Sequence, residues 1–113
     1  MPRFGAFSPL CLALAVAVPA VARAGQEGIG KFELNCVACH GTSLQGVEGQ
    51  GVNLVTSPFV GRKSVAELVQ FLKVGRMPGD PESVAGRAMP AFGWLPETDL
   101  AEIAAYVKDR HGP

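Results

Sequence analysis

The sequence predicts an all-α domain with three to five helices. Apolar residues recur at helical spacing in three segments of the 113-residue chain, and four segments in all can be argued as helices. No segment shows a convincing alternation of polar and apolar residues, and stretches rich in glycine and proline separate the helical segments. A chain of this length supports one domain.

The first 24 residues predict a secretory signal peptide, which divides the chain into residues 1–24 and one domain, residues 25–113. The leader has a short basic start, an apolar core at 10–18 and an A-x-A site that ends at Ala24. Its apolar run is too short to span a bilayer, and a retained N-terminal anchor is the alternative. We expect cleavage after Ala24, export to the periplasm, no stable membrane insertion, and loss of Cys11 with the leader.

The charge balance argues against a nucleic-acid partner. The chain has ten basic and ten acidic residues and no basic run. Because two basic residues and no acid lie in the leader, the domain that follows has two more acidic than basic residues. A domain this small buries a limited share of its surface. Its single Cys-x-x-Cys pair cannot cross-link segments that are distant in the sequence. We therefore expect a cofactor to complete the core.

The first helix is expected from about Gln26 to Ala38. Ile29, Phe32 and Cys36 share one face at spacings of three and four residues. The glycine-rich stretch at 41–61 shows no sustained periodicity, so we predict a loop there.

Two later helices carry clear start and stop signals. Ser64 to Glu67 forms a capping box, and Gly75 fits the position just after the end of that helix. Residues 82–86 are compatible with one short helical turn, and residues 89–95 are irregular. The last helix is expected to begin near Pro96, with acids in its first turn and basic residues in its last. Its apolar stripe consists of Leu100, Ile103, Ala104 and Val107.

The motif that carries chemistry is Cys36-Val37-Ala38-Cys39-His40. In an exported protein, C-x-x-C-H is a strong signal for covalent attachment of c-type haem. Cys36 and Cys39 at the end of a helix can add to the two vinyl groups on one edge of a porphyrin, while His40 is carried to the iron. A zinc site that adds His111, a thioredoxin-like pair and a plain disulfide are the alternatives. A zinc site needs four ligands, and only His40 and His111 remain beside the two thiols. A thioredoxin-like pair needs a strand before the motif, which is absent, and a plain disulfide would leave His40 unexplained.

A second axial ligand is needed if the iron is to carry electrons without binding a substrate. Met77, Met89 and His111 are the candidates in the domain. Both methionines precede a proline in an irregular segment, and Met89 lies shortly before the last helix, on the wall expected opposite His40. We predict His40 and Met89 as the iron ligands and Met77 as a gap-filler in the core. An open sixth position is the further alternative.

These residues resemble those of the class I monohaem c-type cytochromes of bacterial periplasms. Gly28 and Phe32 are similar to the family's Gly-x-x-x-aromatic spacing before C-x-x-C-H, with Tyr106 as the facing aromatic residue. Residues 89–92 and the helix after them resemble the family's ligand loop and final helix. The resemblance implies a cytochrome c fold, in which helices wrap around one haem c attached through Cys36 and Cys39 and the first and last helices cross.

The chain departs from that family in the loop after the haem motif. Many members have a Gly-Pro pair there, whose carbonyl holds the proximal imidazole, but this chain has Gly49-Gln50-Gly51-Val52-Asn53-Leu54. Because every residue offers a backbone carbonyl, we expect Val52 or Asn53 to accept the Nδ1 hydrogen bond of His40. Such a bond would set the orientation and basicity of the imidazole.

The motif and the resemblance predict a periplasmic one-electron carrier that is not itself an enzyme. Its redox partners would be a donor dehydrogenase and an acceptor oxidase or reductase. The alternatives are a haem subunit permanently bound to a larger periplasmic dehydrogenase and a haem sensor or enzyme with an open sixth site. Trp94 is expected either to donate to a haem propionate or to cover the core. Arg62, Lys63 and Arg87 could neutralise propionates, but a solvated surface position fits each of them better. The expected apolar wall of the haem site is Phe32, Leu54, Phe59, Leu68, Leu72 and Phe92.

Overall fold

The computed structural model has five helices among the residues that it describes, which are residue 5 and residues 13–17, 20–84 and 86–112. Of residues 20–24 only the backbone is described. The helices are α1 (Ala20–Asn35), α2 (Val37–His40), α3 (Pro58–Arg62), α4 (Val65–Val74) and α5 (Glu97–Arg110). Those ranges contain no strand, only two isolated antiparallel bridges. The expectation of an all-α fold is confirmed.

Much of the expected signal peptide, including Cys11, lies outside the described residues. The first helix begins at Ala20, earlier than the expected start at Gln26, and ends at Asn35 rather than Ala38. The early start follows from the alanine-rich run before Gly25, because alanine has the highest helix propensity. Within the described ranges, no helix has the length and apolar character needed to cross a membrane.

Helices α1 and α5 cross closely at Gly28, as the resemblance implies. A Cβ atom on Gly28 would overlap the backbone carbonyl of Glu102 and lie 2.8 Å from the Cβ atom of Tyr106. One turn further along α1, Phe32 packs against Tyr106 in an edge-to-face arrangement with ring centroids 5.4 Å apart. Lys31 pairs with Glu102 beside the crossing. The crossing therefore requires a residue without a side chain at position 28.

We expect Gly28→Ala to destabilise the protein by about 1–3 kcal/mol, because the overlap would force the two helices apart. The matched control is Gly30→Ala on the same helix, where a Cβ atom would meet nothing within 4 Å. That change should stabilise by about 0.4–1 kcal/mol, since it lowers the entropy of the unfolded chain. Urea unfolding of the two holoproteins measures the difference, and equal midpoints would contradict it.

The helix α4 follows its predicted signals. The Ser64 hydroxyl accepts a hydrogen bond from the Glu67 amide at 3.1 Å. The Glu67 carboxylate accepts from the same hydroxyl at 3.3 Å, so the serine half of the predicted capping box forms. Gly75 ends the helix with a φ of +67°, and its amide donates to the Phe71 carbonyl. The four stripe residues predicted on α5 are all buried and pack with α1 and α4 in the core.

The helix α3 begins within the stretch at 41–61 for which the sequence predicts a loop, so the loop prediction is wrong for residues 58–61. The Ser57 hydroxyl accepts from the Val60 amide at 3.3 Å and caps the helix. Pro58 occupies the first turn, where its missing N–H costs nothing. The helix is too short for apolar periodicity to show it, and only the Ser-Pro start is visible in the sequence.

The chain between α4 and α5 is tied together at its base by Arg76 and Met89. The Arg76 amide donates to the Met89 carbonyl at 2.9 Å, and the Met89 amide donates to the Arg76 carbonyl at 2.8 Å. The helical turn considered at 82–86 is wrong for the described residues, which form turns and bends there; Ala85 lies outside them. Residues 77–88 are therefore a loop closed by a two-bond bridge.

Candidate functional site

Two neighbouring cavities lie where the helices meet the loops. The larger, of about 580 Å³, is lined by Cys36, His40 and Met89, and the smaller, of about 160 Å³, by Cys39, His40 and Met89. The larger falls within the range of about 300–1,000 Å³ that is typical of small-molecule and cofactor sites. Its apolar wall includes Phe32, Leu54, Phe59, Leu68, Leu72, Ile103 and Val107. The structure thus brings the four predicted site residues to one region, with His40 and Met89 on both cavities.

The C-x-x-C-H motif lies at a break between two helices. The helix α1 ends at Asn35, Cys36 caps α2, and His40 is the last residue of α2. Both cysteines are free thiols. Cys36 is buried, and this burial, together with nearby Cys39, raises the pKa of the Cys36 thiol to about 11. The motif therefore presents protonated Cys36 to the larger cavity at neutral pH.

The imidazole of His40 is buried and held by one backbone carbonyl. Its Nδ1 lies 2.9 Å from the Val52 oxygen. Because a carbonyl only accepts, Nδ1 carries the proton, and the neutral ring keeps the Nε2 lone pair for a metal. Burial lowers the pKa of His40 and favours this neutral form. Of the two carbonyls expected from the sequence, Val52 is the one used, while the Asn53 side chain accepts from the amides of Val55 and Thr56.

Glycines in the loop after the motif allow Val52 to reach the imidazole. A Cβ atom on Gly51 would overlap the Cys39 carbonyl, so the loop and the motif touch backbone to backbone. Gly46 has a φ of +82° and donates its amide to the His40 carbonyl at 2.8 Å. The loop therefore replaces the missing Gly-Pro pair with glycine contacts that fix the same kind of hydrogen bond.

Met89 is the methionine that lines the cavities, and the bridge to Arg76 fixes its backbone. Met77 lines neither cavity and is 67% exposed, so its assignment as a core gap-filler is wrong. The reason is local: the Met77 amide donates to the Asp80 carboxylate at 2.7 Å, which holds Met77 in a surface turn. His111 also lines neither cavity, and its Nε2 lies 2.9 Å from the Ser57 carbonyl.

We expect Gly75→Ala to displace Met89 and to destabilise the holoprotein by at least about 1 kcal/mol. Gly75 has a φ of +67°, and a Cβ atom there would overlap the Met89 carbonyl, so the change strains the backbone and opens the bridge. Gly79→Ala is the control, because a Cβ atom at Gly79 would meet nothing within 4 Å. Urea unfolding and visible spectra report both effects; a Gly75→Ala protein like the control would refute the expectation.

Most of the expected wall residues line the larger cavity, but Phe92 does not. The Phe92 amide bonds the Leu72 carbonyl at 2.8 Å, and its ring lies beside Trp94 with centroids 6.4 Å apart. Trp94 itself is 71% exposed and lines neither cavity, so it does not cover the core. Phe92 packs instead against the hydrophobic core, outside the two cavities.

Among the basic residues, Arg76 is one that the sequence does not indicate as a site residue. It lines both cavities, and no local motif marks it. Arg62 lines the larger cavity but pairs with Glu82 at 2.9 Å in an exposed position, and Arg87 is exposed and lines the smaller cavity. Lys63 lies 3.8 Å from the Glu67 carboxylate on the surface side of α4.

An all-α fold with a C-x-x-C-H motif at an apolar cavity defines a c-type cytochrome, whose class implies haem c. The chain belongs to the family described as cytochrome c oxidase, cbb3-type, subunit III, whose model matches residues 20–107. No solved structure matches the chain.

Curated relatives share about a third of the aligned residues. The cytochrome bc1 complex cytochrome c subunit of Corynebacterium diphtheriae is 36% identical over 88 residues, which are 77% of this chain and 28% of the relative. The subunit of the same name from Mycobacterium tuberculosis is 36% identical over 84 residues, 72% of this chain and 26% of the relative. The chain therefore spans about a quarter of the length of the relatives that it matches.

Proposed function

We propose that this chain is a one-electron carrier with one haem c, attached covalently through Cys36 and Cys39 and ligated by His40 and Met89. The observation that carries the proposal is the pair of cavities with His40 and Met89 on both, and with one thiol on each. The donor set fits haem iron, which takes an imidazole and a thioether in this class. When bound, the haem would supply the one-electron couple.

The roles of the residues follow from their surroundings. The hydrogen bond from Nδ1 to Val52 orients the His40 ring and raises its basicity toward the iron. A neutral thioether from Met89 favours the reduced form and raises the midpoint potential relative to a second histidine. The apolar wall acts in the same direction, because it disfavours the extra positive charge of the ferric state.

Export by a signal peptide is the second part of the proposal. Cleavage after Ala24 would leave the α1–α5 crossing intact, because Gly28, Phe32 and the contact of Gly25 with α5 all follow that position. The mature protein would then begin at Gly25.

One experiment tests ligation and export together. The protein expressed with c-type haem maturation is purified from the periplasm, and its mass and its reduced-minus-oxidised spectrum are recorded. The expected result is the mass of residues 25–113 plus one haem, with a low-spin spectrum and a thioether-to-iron charge-transfer band. A mass without haem, or a high-spin reduced form that binds carbon monoxide, would sink the His/Met carrier and favour the open sixth site.

A role as a subunit of a larger redox complex is the second candidate. It is favoured by the relatives, which are named as cytochrome c subunits of a cytochrome bc1 complex. A free shuttle would exchange between a donor dehydrogenase and an acceptor oxidase or reductase, whereas a subunit would stay with one complex. Light scattering on the protein purified from its native source separates the two, since a subunit elutes with partners and a shuttle elutes alone.

A further inference from the structure

Arg76 lies at the junction of the two cavities. It lines both, and so do His40 and Met89. Among the described residues it is the one cation on both cavities, because Arg62 lines only the larger and Arg87 only the smaller. Its backbone also exchanges two hydrogen bonds with Met89. One residue thus lines both cavities and is bonded through its main chain to the proposed ligand.

Two aromatic rings hold the guanidinium of Arg76 in place. Its Cζ lies 4.7 Å from the centroid of the Phe59 ring and 4.9 Å from that of Phe71. The two rings are themselves packed, with centroids 4.7 Å apart and planes tilted by 59°. Because these three distances form a nearly equilateral triangle, both rings lie on one side of the guanidinium, and the N–H groups on its other side can still donate. The cation is therefore oriented before any ligand arrives.

No carboxylate pairs with Arg76 in the described part of the chain. The ion pairs found there use Lys31, Arg62, Lys63 and Lys73 as the cations. Arg62, the other arginine on the larger cavity, is already matched by Glu82. A pre-oriented guanidinium beside an apolar cavity, with no internal counter-charge, fits an anionic group that the ligand itself brings.

We propose that Arg76 binds a carboxylate of the cofactor, a haem propionate, and links it to Met89 through the backbone bridge. This inference rests on the proposed function. Arg76 is then a positioning residue, because its side chain fixes one edge of the cofactor while its main chain fixes the segment that carries the axial thioether. Its charge also raises the midpoint potential, since a nearby cation disfavours the extra positive charge of the oxidised iron.

The test is a redox titration of the exported holoprotein and three variants: Arg76→Gln, Arg76→Lys and Arg110→Gln. Arg110 is the matched control, because its guanidinium lies over the Tyr106 ring at 5.5 Å but lines neither cavity. We expect Arg76→Gln to lower the equilibrium constant for reduction about tenfold, a fall of about 59 mV for a one-electron couple. Arg110→Gln should stay within about twofold of wild type. Arg76→Lys keeps the charge without the planar fork and should fall between the two.

Each outcome decides the proposal. Equal potentials for Arg76→Gln and Arg110→Gln overturn it. An Arg76→Lys protein that behaves like Arg76→Gln also overturns it, since a positive charge at this position would then have no effect on the potential. If Arg76→Gln gives no folded holoprotein, Arg76→Lys decides alone. An equilibrium constant for reduction that falls by less than tenfold, but by more than that of Arg110→Gln, supports the proposal, and any other value overturns it. Wild-type protein without covalent haem would instead overturn the proposed function.

Discussion

The Cys36→Ala/Cys39→Ala protein should lose covalently bound haem and, with it, cooperative unfolding. The cofactor would fill a cavity of about 580 Å³ in the middle of the core. Without the cofactor, the apolar side chains that line this cavity would lose the burial that is the main favourable term in folding. Small domains are stable by about 5–15 kcal/mol in all. We therefore expect a molten or unfolded chain, measured by near-ultraviolet circular dichroism during urea unfolding.

Leu34→Ala is the control for this experiment. Leu34 lies on α1 close to the motif but is 86% exposed, so its truncation should change the free energy of unfolding by less than about 0.5 kcal/mol. The control shows that an ordinary substitution in the same helix is tolerated by the maturation machinery and by the fold. A sharp, native-like unfolding transition in the double cysteine variant would contradict the view that the cofactor completes the core.

Met89→Ala should abolish the thioether-to-iron charge-transfer band and lower the midpoint potential. Met89 is the methionine that lines both cavities in the described part of the chain, so its removal leaves the sixth position to water or to added carbon monoxide. Loss of the thioether also removes the preference for the reduced iron that methionine provides. Visible spectra with and without carbon monoxide, and a redox titration, measure these changes.

Met77→Ala is the matched control, because Met77 also precedes a proline but is 67% exposed and lines neither cavity. We expect its band, spin state and potential to equal those of the wild type. If the band survived in Met89→Ala and vanished in Met77→Ala, the assignment of the axial ligand would be wrong. A band that survives in both single variants would mean that either methionine can supply the thioether to the iron.

Helix pairing could be predicted because its signals are local in the sequence. The stripe of α5 follows a plain helical period, and the spacing of Gly28 and Phe32 resembles that of the c-type cytochromes, a resemblance that implies the close crossing. The helix α3 was missed because five residues give no period. The end of α1 was placed too late because the break at Cys36 comes from backbone geometry and not from a proline or glycine.

Part of the candidate site can be predicted from local sequence signals, and the rest depends on contacts between residues that are distant in the sequence. The spacing of Cys36, Cys39 and His40 is a property of one short segment, and their assignment as haem-binding residues, with Met89, stays a prediction. The position of the Arg76 side chain depends on contacts with Phe59 and Phe71, and no sequence pattern predicts these contacts. Met77 and Met89 look alike as Met-Pro pairs, and only the bridge at one and the surface turn at the other separate them.

Because the bridge between Arg76 and Met89 closes the loop between them, that loop can accept inserted residues. Main-chain bonds at its two ends hold the backbone of Met89, and Gly79 is not among the residues of this turn that line the cavities. Doubling the length of a flexible loop adds only about 0.6 kcal/mol of closure entropy. Gly79 in this turn has no neighbour within 4 Å of a Cβ position. A peptide tag or a tether to an electrode surface, inserted after Gly79, would therefore reach solvent beside the redox site while leaving the register of Met89 unchanged.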